Sequence, residues 1–363
     1  MARTGHLAGG ADKAAVLDTF VLSNYAFLIL DVYLAHLVNR FRHGAEWIPV
    51  GFSAAAVLVL APALVLRLRG RGPSFAHHAG LVVGYASVAV GLAGVLYHLD
   101  SQFFSQWTVR SLVYTAPFAA PVAYAGLGFL LLVNRMVPSR DVEWGQWVVF
   151  FALGGFVGNF GLALCDHAMN GFFHATEWLP VFASALAIGV LGVALVEQHE
   201  GFFRVSAAVL ALQVVVGVVG FYVHLVADIN GLSSSLFENF IHGAPVFAPL
   251  LFVDLACLAM IGLWDMRSQG ASERGGNVPL ADVGDDGVEP TLPSGEPHAP
   301  RRGRKPWITS VPSRSGERLH HRVPRQCRST PPATLARRRL PAGRGPPGPP
   351  QELVWSRLGR KEM

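Results

Sequence analysis

Paired cysteines, charge and nucleotide-binding signatures are what this chain has least of. Its three cysteines, Cys165, Cys257 and Cys327, share no close spacing, which argues against a disulfide framework and against a CxxC metal or redox motif. Only 15% of the 363 residues are charged, 52% are hydrophobic and the mean hydropathy is +0.39, too apolar for an ordinary soluble domain of this length. Through Arg267 there is no P-loop, no GxGxxG opening a helix, no GxSxG and no HExxH, which argues against nucleotide chemistry. The N-terminus also lacks a short apolar core with a small-residue cleavage site behind it, so the first apolar run is expected to stay as a span.

What the chain does have is long apolar runs. Crossing a ~30 Å hydrocarbon layer takes roughly 20 residues, and such runs can be drawn at 16–38, 47–66, 79–99, 112–134, 146–168, 178–197, 204–226 and 240–264. The expected fold class is an all-α integral membrane protein of eight transmembrane helices. Arg3, Lys13, Arg67, Arg69, Arg71, Arg135, Arg140, Arg204 and Arg267 gather on one side of these spans, against Arg40, Arg42 and Arg110 on the other. The positive-inside rule then puts both termini in the cytoplasm, in an inner or plasma membrane, and the 36–50, 99–111, 167–180 and 225–239 connections outside. The bilayer is the expected partner.

Composition changes after Arg267. Up to that residue there are 12 Lys/Arg and 15 Asp/Glu (12 − 15 = −3), leaving 17 and 9 (17 − 9 = +8) for the rest, so the basic character belongs to the tail. Segments such as PRRGRKP and AGRGPPGPPQ have too little apolar periodicity to bury anything, and a disordered cytoplasmic tail over 268–363 is expected, with no specific nucleic acid as its partner. The Arg- and Pro-rich text raises a further hypothesis, a reading-frame error near residue 300. An intact frame carrying the same tail in a second isolate would dispose of it.

One string is written twice: HLVNRFRHGAEWIPV from His36 and HAMNGFFHATEWLPV from His167. Without gaps, His36/His167, Asn39/Asn170, Phe41/Phe172, His43/His174, Glu46/Glu177, Trp47/Trp178, Pro49/Pro180 and Ser53/Ser184 are identical. Fainter matches pair His98 with His224, and APFAAP from Ala116 with APVFAP from Ala244. The reading is two tandem four-helix repeats, 15–137 and 138–267, behind a short N-terminus at 1–14. An even number of spans per copy makes the copies parallel, related by an axis along the membrane normal. Gly80 with Gly84 and Gly154 with Gly158 are candidates for close helix contacts.

On a continuous helix His36, Asn39 and His43 would share a stripe, as would His167, Asn170 and His174. With Glu46 and His98 joining the first set, and Glu177 and His224 the second, each copy would gather three imidazoles and a carboxylate. That donor set suits copper, zinc, iron or manganese. The expected metal ligands are His36, His43, Glu46 and His98 in one site and His167, His174, Glu177 and His224 in the other, opening to the extracytoplasmic face. A glutamate that is not a ligand, Glu46 or Glu177, would be the catalytic general base to metal-bound water, acting on a small or lipophilic substrate. Haem b is the rival cofactor, held by His36 with His98 or His167 with His224. Structure alone also accounts for part of the motif, because a carboxylate at a helix start, an interfacial tryptophan and a first-turn proline are ordinary.

Two further function classes stay open. Asp31 and Asp254 inside spans would fit metal or ion transport, and a purely structural scaffold would need the motif only to build a hairpin. Asp100 and Asp228 follow His98 and His224 at different offsets, which weakens them as supporting acceptors. Asn159, Asp166 and Gln213 are read as packing or hydrogen-bonding residues, since intramembrane polar residues commonly bridge helices, while His77, His78 and His242 lack a repeat partner and His199 is read as solvated.

Overall fold

Why the apolar runs become these helices is set mainly by where proline and left-handed residues interrupt them. The computed structural model describes residues 8–276, and every regular element among them is helical. In chain order they are α1 (Ala8–Leu37), a 3-10 turn (Gly44–Glu46), α2 (Trp47–Leu68), α3 (Pro73–Asp100), α4 (Phe103–Gln106), α5 (Val109–Val113) and α6 (Val122–Met136). Then come α7 (Val142–Met169), a second 3-10 turn (Ala175–Glu177), α8 (Trp178–Ala194), α9 (Glu200–Ile229), α10 (Leu236–His242) and α11 (Leu250–Gly276). Helix α11 runs past Arg267, where a tail was expected to begin, and the rest of that tail lies outside the described residues.

Among the described residues six segments are long and apolar enough to cross a membrane: Lys13–Leu37, Gly44–Leu68, Pro73–Asp100, Val142–Met169, Ala175–Ala194 and Glu200–Ile229. The protein is therefore a polytopic membrane protein, all-helical over the described residues. Two of the eight expected spans do not form as drawn. The run 112–134 breaks at the turn holding Pro117 and Pro121, so α6 starts only at Val122; its 15 residues reach about 22 Å, short of a full hydrocarbon core. The run 240–264 breaks at Pro245 and Pro249, so its helix starts at Leu250, and Asp254, Asp265 and Arg267 leave that helix outside the six. In both cases proline removes a backbone donor and clashes with the preceding turn.

Helix α3 packs along α6 and α9 along α11, while α1 lies on α2 and α7 on α8, with α7 and α11 also in contact. One core cluster includes Tyr25, Leu130, Leu131, Trp144, Phe156, Leu191, Leu210 and Met266. The outward faces are as greasy as the core: Leu58 is 75% exposed, Val82 68% and Phe182 65%. Such a surface would aggregate in water and costs nothing against lipid.

Close approaches depend on missing side chains. A Cβ on Gly128 would stand 2.6 Å from Gly84 O, which locks α6 against α3. Gly154 and Gly158, expected at a contact, face open space instead; it is Gly155 that receives Leu255. The pattern had the right helix and the wrong face.

The end of the bundle opposite the histidines carries an ion-pair network whose acidic members the sequence reading passed over. Asp18, nearly three turns inside α1, accepts Arg67 Nη1 at 2.6 Å on Oδ2, and its Oδ1 lies 2.9 Å from Arg135 Nη1. Asn134 Nδ2 donates to the same Oδ1 at 2.7 Å and to Ala14 O at 2.8 Å, while Trp144 Nε1 donates to Asn134 Oδ1 at 3.2 Å. Lys13 pairs with the fully buried Asp265. His199, read as solvated, caps α9 by accepting Phe202 N at 3.2 Å.

Candidate functional site: the histidine end of the bundle

The duplicated string folds into a duplicated loop. Helix α1 stops at Leu37, and the carbonyl of His36 accepts from Asn39 N (3.0 Å) and Phe41 N (3.4 Å); the carbonyl of His167 accepts from Asn170 N (3.2 Å) and Phe172 N (3.0 Å). To make that turn the chain enters the left-handed region at Arg40 (φ 56°) and Phe41 (φ 49°), and at Gly171 (φ 69°) and Phe172 (φ 51°). A phenylalanine there costs about 1 kcal/mol or more. Ring stacking offsets it: Phe41 lies 4.0 Å from Trp47 at 20°, and Phe172 lies 3.9 Å from Trp178 at 10°. The 3-10 turns close identically, with Glu46 N bonded to His43 O and Glu177 N to His174 O, both at 3.0 Å.

This loop overturns the expected stripes. Because the helices end at Leu37 and Met169, Asn39, His43, Asn170 and His174 lie beyond them, so the i, i+3, i+7 geometry never forms. His43 and His174 sit in extended backbone just before the 3-10 turns (φ −111° and −113°), with exposed side chains. Among the described residues no three His, Cys, Asp or Glu side chains gather closely enough to hold a metal ion. The two predicted four-donor sets are therefore only partly brought together.

What does come together is one pair of imidazoles, His36 with His98, and in the other half an imidazole with a carboxylate, His167 with Glu177. His36, His98, His167 and His224 are half-buried near the C-terminal ends of α1, α3, α7 and α9. The His36 and His98 ring centres lie 6.3 Å apart with planes at 71°. His36 Nδ1 donates to Val32 O at 2.9 Å, His98 Nδ1 to Pro117 O at 2.9 Å and His224 Nδ1 to Pro245 O at 3.0 Å. A carbonyl can only accept, so in these three rings Nδ1 carries the proton and a neutral ring keeps its lone pair on Nε2. His224 is an electrostatic neighbour of His167, whose Nδ1 stands 3.7 Å from Glu177 Oε2. Glu46 Oε2 and Glu177 Oε2 are both buried without a hydrogen-bond partner.

Each proline carbonyl is placed by its own brace. Ala116 N donates to Ser101 Oγ and Ala244 N to Asp228 Oδ1, both at 2.9 Å, so Ser101 and Asp228 do the same work at different offsets from their histidines. Thr115 Oγ1 adds a bond to His98 O at 2.6 Å. Asp100 has no such role and stays exposed. The sequence signal for the pair was the matched Ala-Pro dipeptide, not the acid. Of the intramembrane acids, Asp254 accepts Asn24 Nδ2 at 2.9 Å and Asp31 is half-buried. Gln213 bonds within its own helix, to Val209 O at 3.3 Å, rather than across helices.

Chemically, an imidazole pair with Nδ1 tied to carbonyls, as in His36 and His98, or an imidazole beside a carboxylate, as in His167 and Glu177, can hold a cation or pass a proton. Comparison with family models, with curated proteins and with solved structures gives no significant match to this chain.

Proposed function

We propose that this chain is an integral membrane metalloprotein of two parallel four-helix repeats, each of which holds a transition metal ion at its histidine end for metal-dependent or redox chemistry on a small or lipophilic substrate. The observation that carries this reading is the His36–His98 pair at 6.3 Å with both Nδ1 atoms tied to carbonyls. Two metal–nitrogen bonds of ~2 Å, plus the ~1 Å from each nitrogen to its ring centre, would put imidazole centres about 5 Å apart at a tetrahedral angle and about 6 Å apart with the two nitrogens on opposite sides of the ion, and the observed spacing lies at the wide end of that range. By the repeat, His167 with His224 would be the second pair, and Glu177, 3.7 Å from His167, with its counterpart Glu46 would supply the carboxylate donors or bases. His43 and His174, on the loop three residues before those glutamates, would be the remaining donors of each shell. The basic residues at the opposite end favour an extracytoplasmic position for the pairs and cytoplasmic termini.

The same spacing supports a second reading, bis-histidine haem b, since axial ligation uses the same nitrogen-to-iron distances and the same Nδ1–carbonyl anchoring. Elemental analysis and an absorption spectrum of protein purified in mild detergent separate the two. About two equivalents of copper, zinc, iron or manganese without a Soret band are expected, falling to about one in His98→Ala and to none in His98→Ala/His224→Ala. A Soret band lost in the same variants selects haem. Neither metal nor haem in folded protein would sink both.

A further inference from the structure

At the arginine end, Arg67, Pro73, Ala76, His77, Asn134 and Arg135 line a cleft of ≈ 250 Å³. We infer that this cleft binds an oxyanion of the phosphate class, either free phosphate or the headgroup of an anionic phospholipid. Asp18 is shared by both guanidinium groups, at 2.6 Å and 2.9 Å, so two positive charges face one negative charge, with the His77 imidazole on the rim. No carboxylate is among the residues lining the cleft. Arg135 is 5% exposed, and its one carboxylate neighbour, Asp18 at 2.9 Å, is shared with Arg67, so the pair of guanidinium groups keeps one positive charge in excess, which an incoming anion would neutralise.

The surroundings hold the arginines in place and leave them few other partners. Asn134 spends its Nδ2 on Asp18 and Ala14, and its Oδ1 on Trp144. A Cβ added at Gly80 would overlap the Arg135 guanidinium, so the bare glycine is what lets that group lie flat on α3 and donate from Nε to Ala76 O at 3.2 Å. Arg69 and Arg71, exposed in the loop that follows α2, extend the positive field towards the headgroup layer. Planar guanidinium forks match tetrahedral oxyanions, and the cleft is smaller than the ~300–1,000 Å³ of drug-sized pockets, which suits a phosphate group.

The test uses the full chain in delipidated detergent micelles, followed by thermal melting and native mass spectrometry. Inorganic phosphate, phosphatidylglycerol and phosphatidylcholine are titrated separately. A saturable rise in melting temperature with phosphate or phosphatidylglycerol, but not with phosphatidylcholine, is expected. A response to phosphatidylglycerol alone identifies the lipid source; a response to inorganic phosphate identifies the free ion. Arg67→Gln keeps the Asp18–Arg135 pair and should weaken binding about tenfold. Asp18→Asn should tighten it, an outcome that a merely structural ion pair would not give. Equal response to phosphatidylglycerol and phosphatidylcholine with none to phosphate, or binding indifferent to Arg67→Gln, overturns the inference.

Discussion

Phe41 stacks on Trp47 at 4.0 Å in the first half and Phe172 on Trp178 at 3.9 Å in the second, and the proline carbonyls reach their histidines at 2.9 Å and 3.0 Å. At the other end of the same helices the halves part company. Counting forward by the offsets that match His36 to His167 and Ala116 to Ala244, the positions of Asp18, Arg67 and Arg135 are taken by Val149, Gln198 and Leu263. The difference follows the range of the contacts. Each histidine loop is built from residues within about a dozen positions of one another, and the histidine–proline bonds span only 19 and 21 residues, so a copied stretch refolds the same way wherever it is pasted. The charged network joins α1, α2 and α6, and survives only where all three partners are retained.

That contrast can be broken by experiment. Asp18→Ala should cost most, about 3–5 kcal/mol, because it strands two arginines of which one is 5% exposed. A melting temperature in detergent that barely moves would mean the network is ornamental. Gly91→Val and Gly217→Val come next, at roughly 1–3 kcal/mol each, since the new Cβ atoms would stand 2.5 Å from Ala125 N and 2.8 Å from Pro249 O. The two losses should be alike, and a loss confined to one half would end the equivalence of the α3–α6 and α9–α11 contacts. Trp47→Leu and Trp178→Leu should each remove roughly 0.5–1.5 kcal/mol of stacking, read in thermal melts and in the near-ultraviolet dichroism of the stacked pairs. Glu200→Ala should matter least, about 1 kcal/mol or below, because its bonds to Arg267 at 2.6 Å and 3.0 Å lie in solvent.

Most of the helical layout was legible because burial in lipid writes itself as uninterrupted apolar length. The two failures, 112–134 and 240–264, came from weighing hydropathy above proline: Pro117, Pro121, Pro245 and Pro249 are apolar enough to extend a run and still end a helix. The stripe of His36, Asn39 and His43 failed for a subtler reason. Nothing in Arg40 or Phe41 announces a positive φ, but the copy does, because Gly171 stands opposite Arg40 and glycine is the residue that adopts that backbone freely. Comparing the two copies for conformation as well as for identity would have ended the helix at Leu37. Asp18 stayed hidden because its partners are 49 and 117 residues away, beyond any local pattern.

The proline carbonyls that anchor His98 and His224 belong to the turns that lead into α6 and α11. Ring azimuth is thereby geared to helix tilt. Because the bare glycines seat α6 tightly on α3, the Pro117 peptide has a fixed place and the imidazole it holds inherits that place. The direction of the His98 lone pair is thus written by helix packing a turn away from the ring, not by the ring's own surroundings.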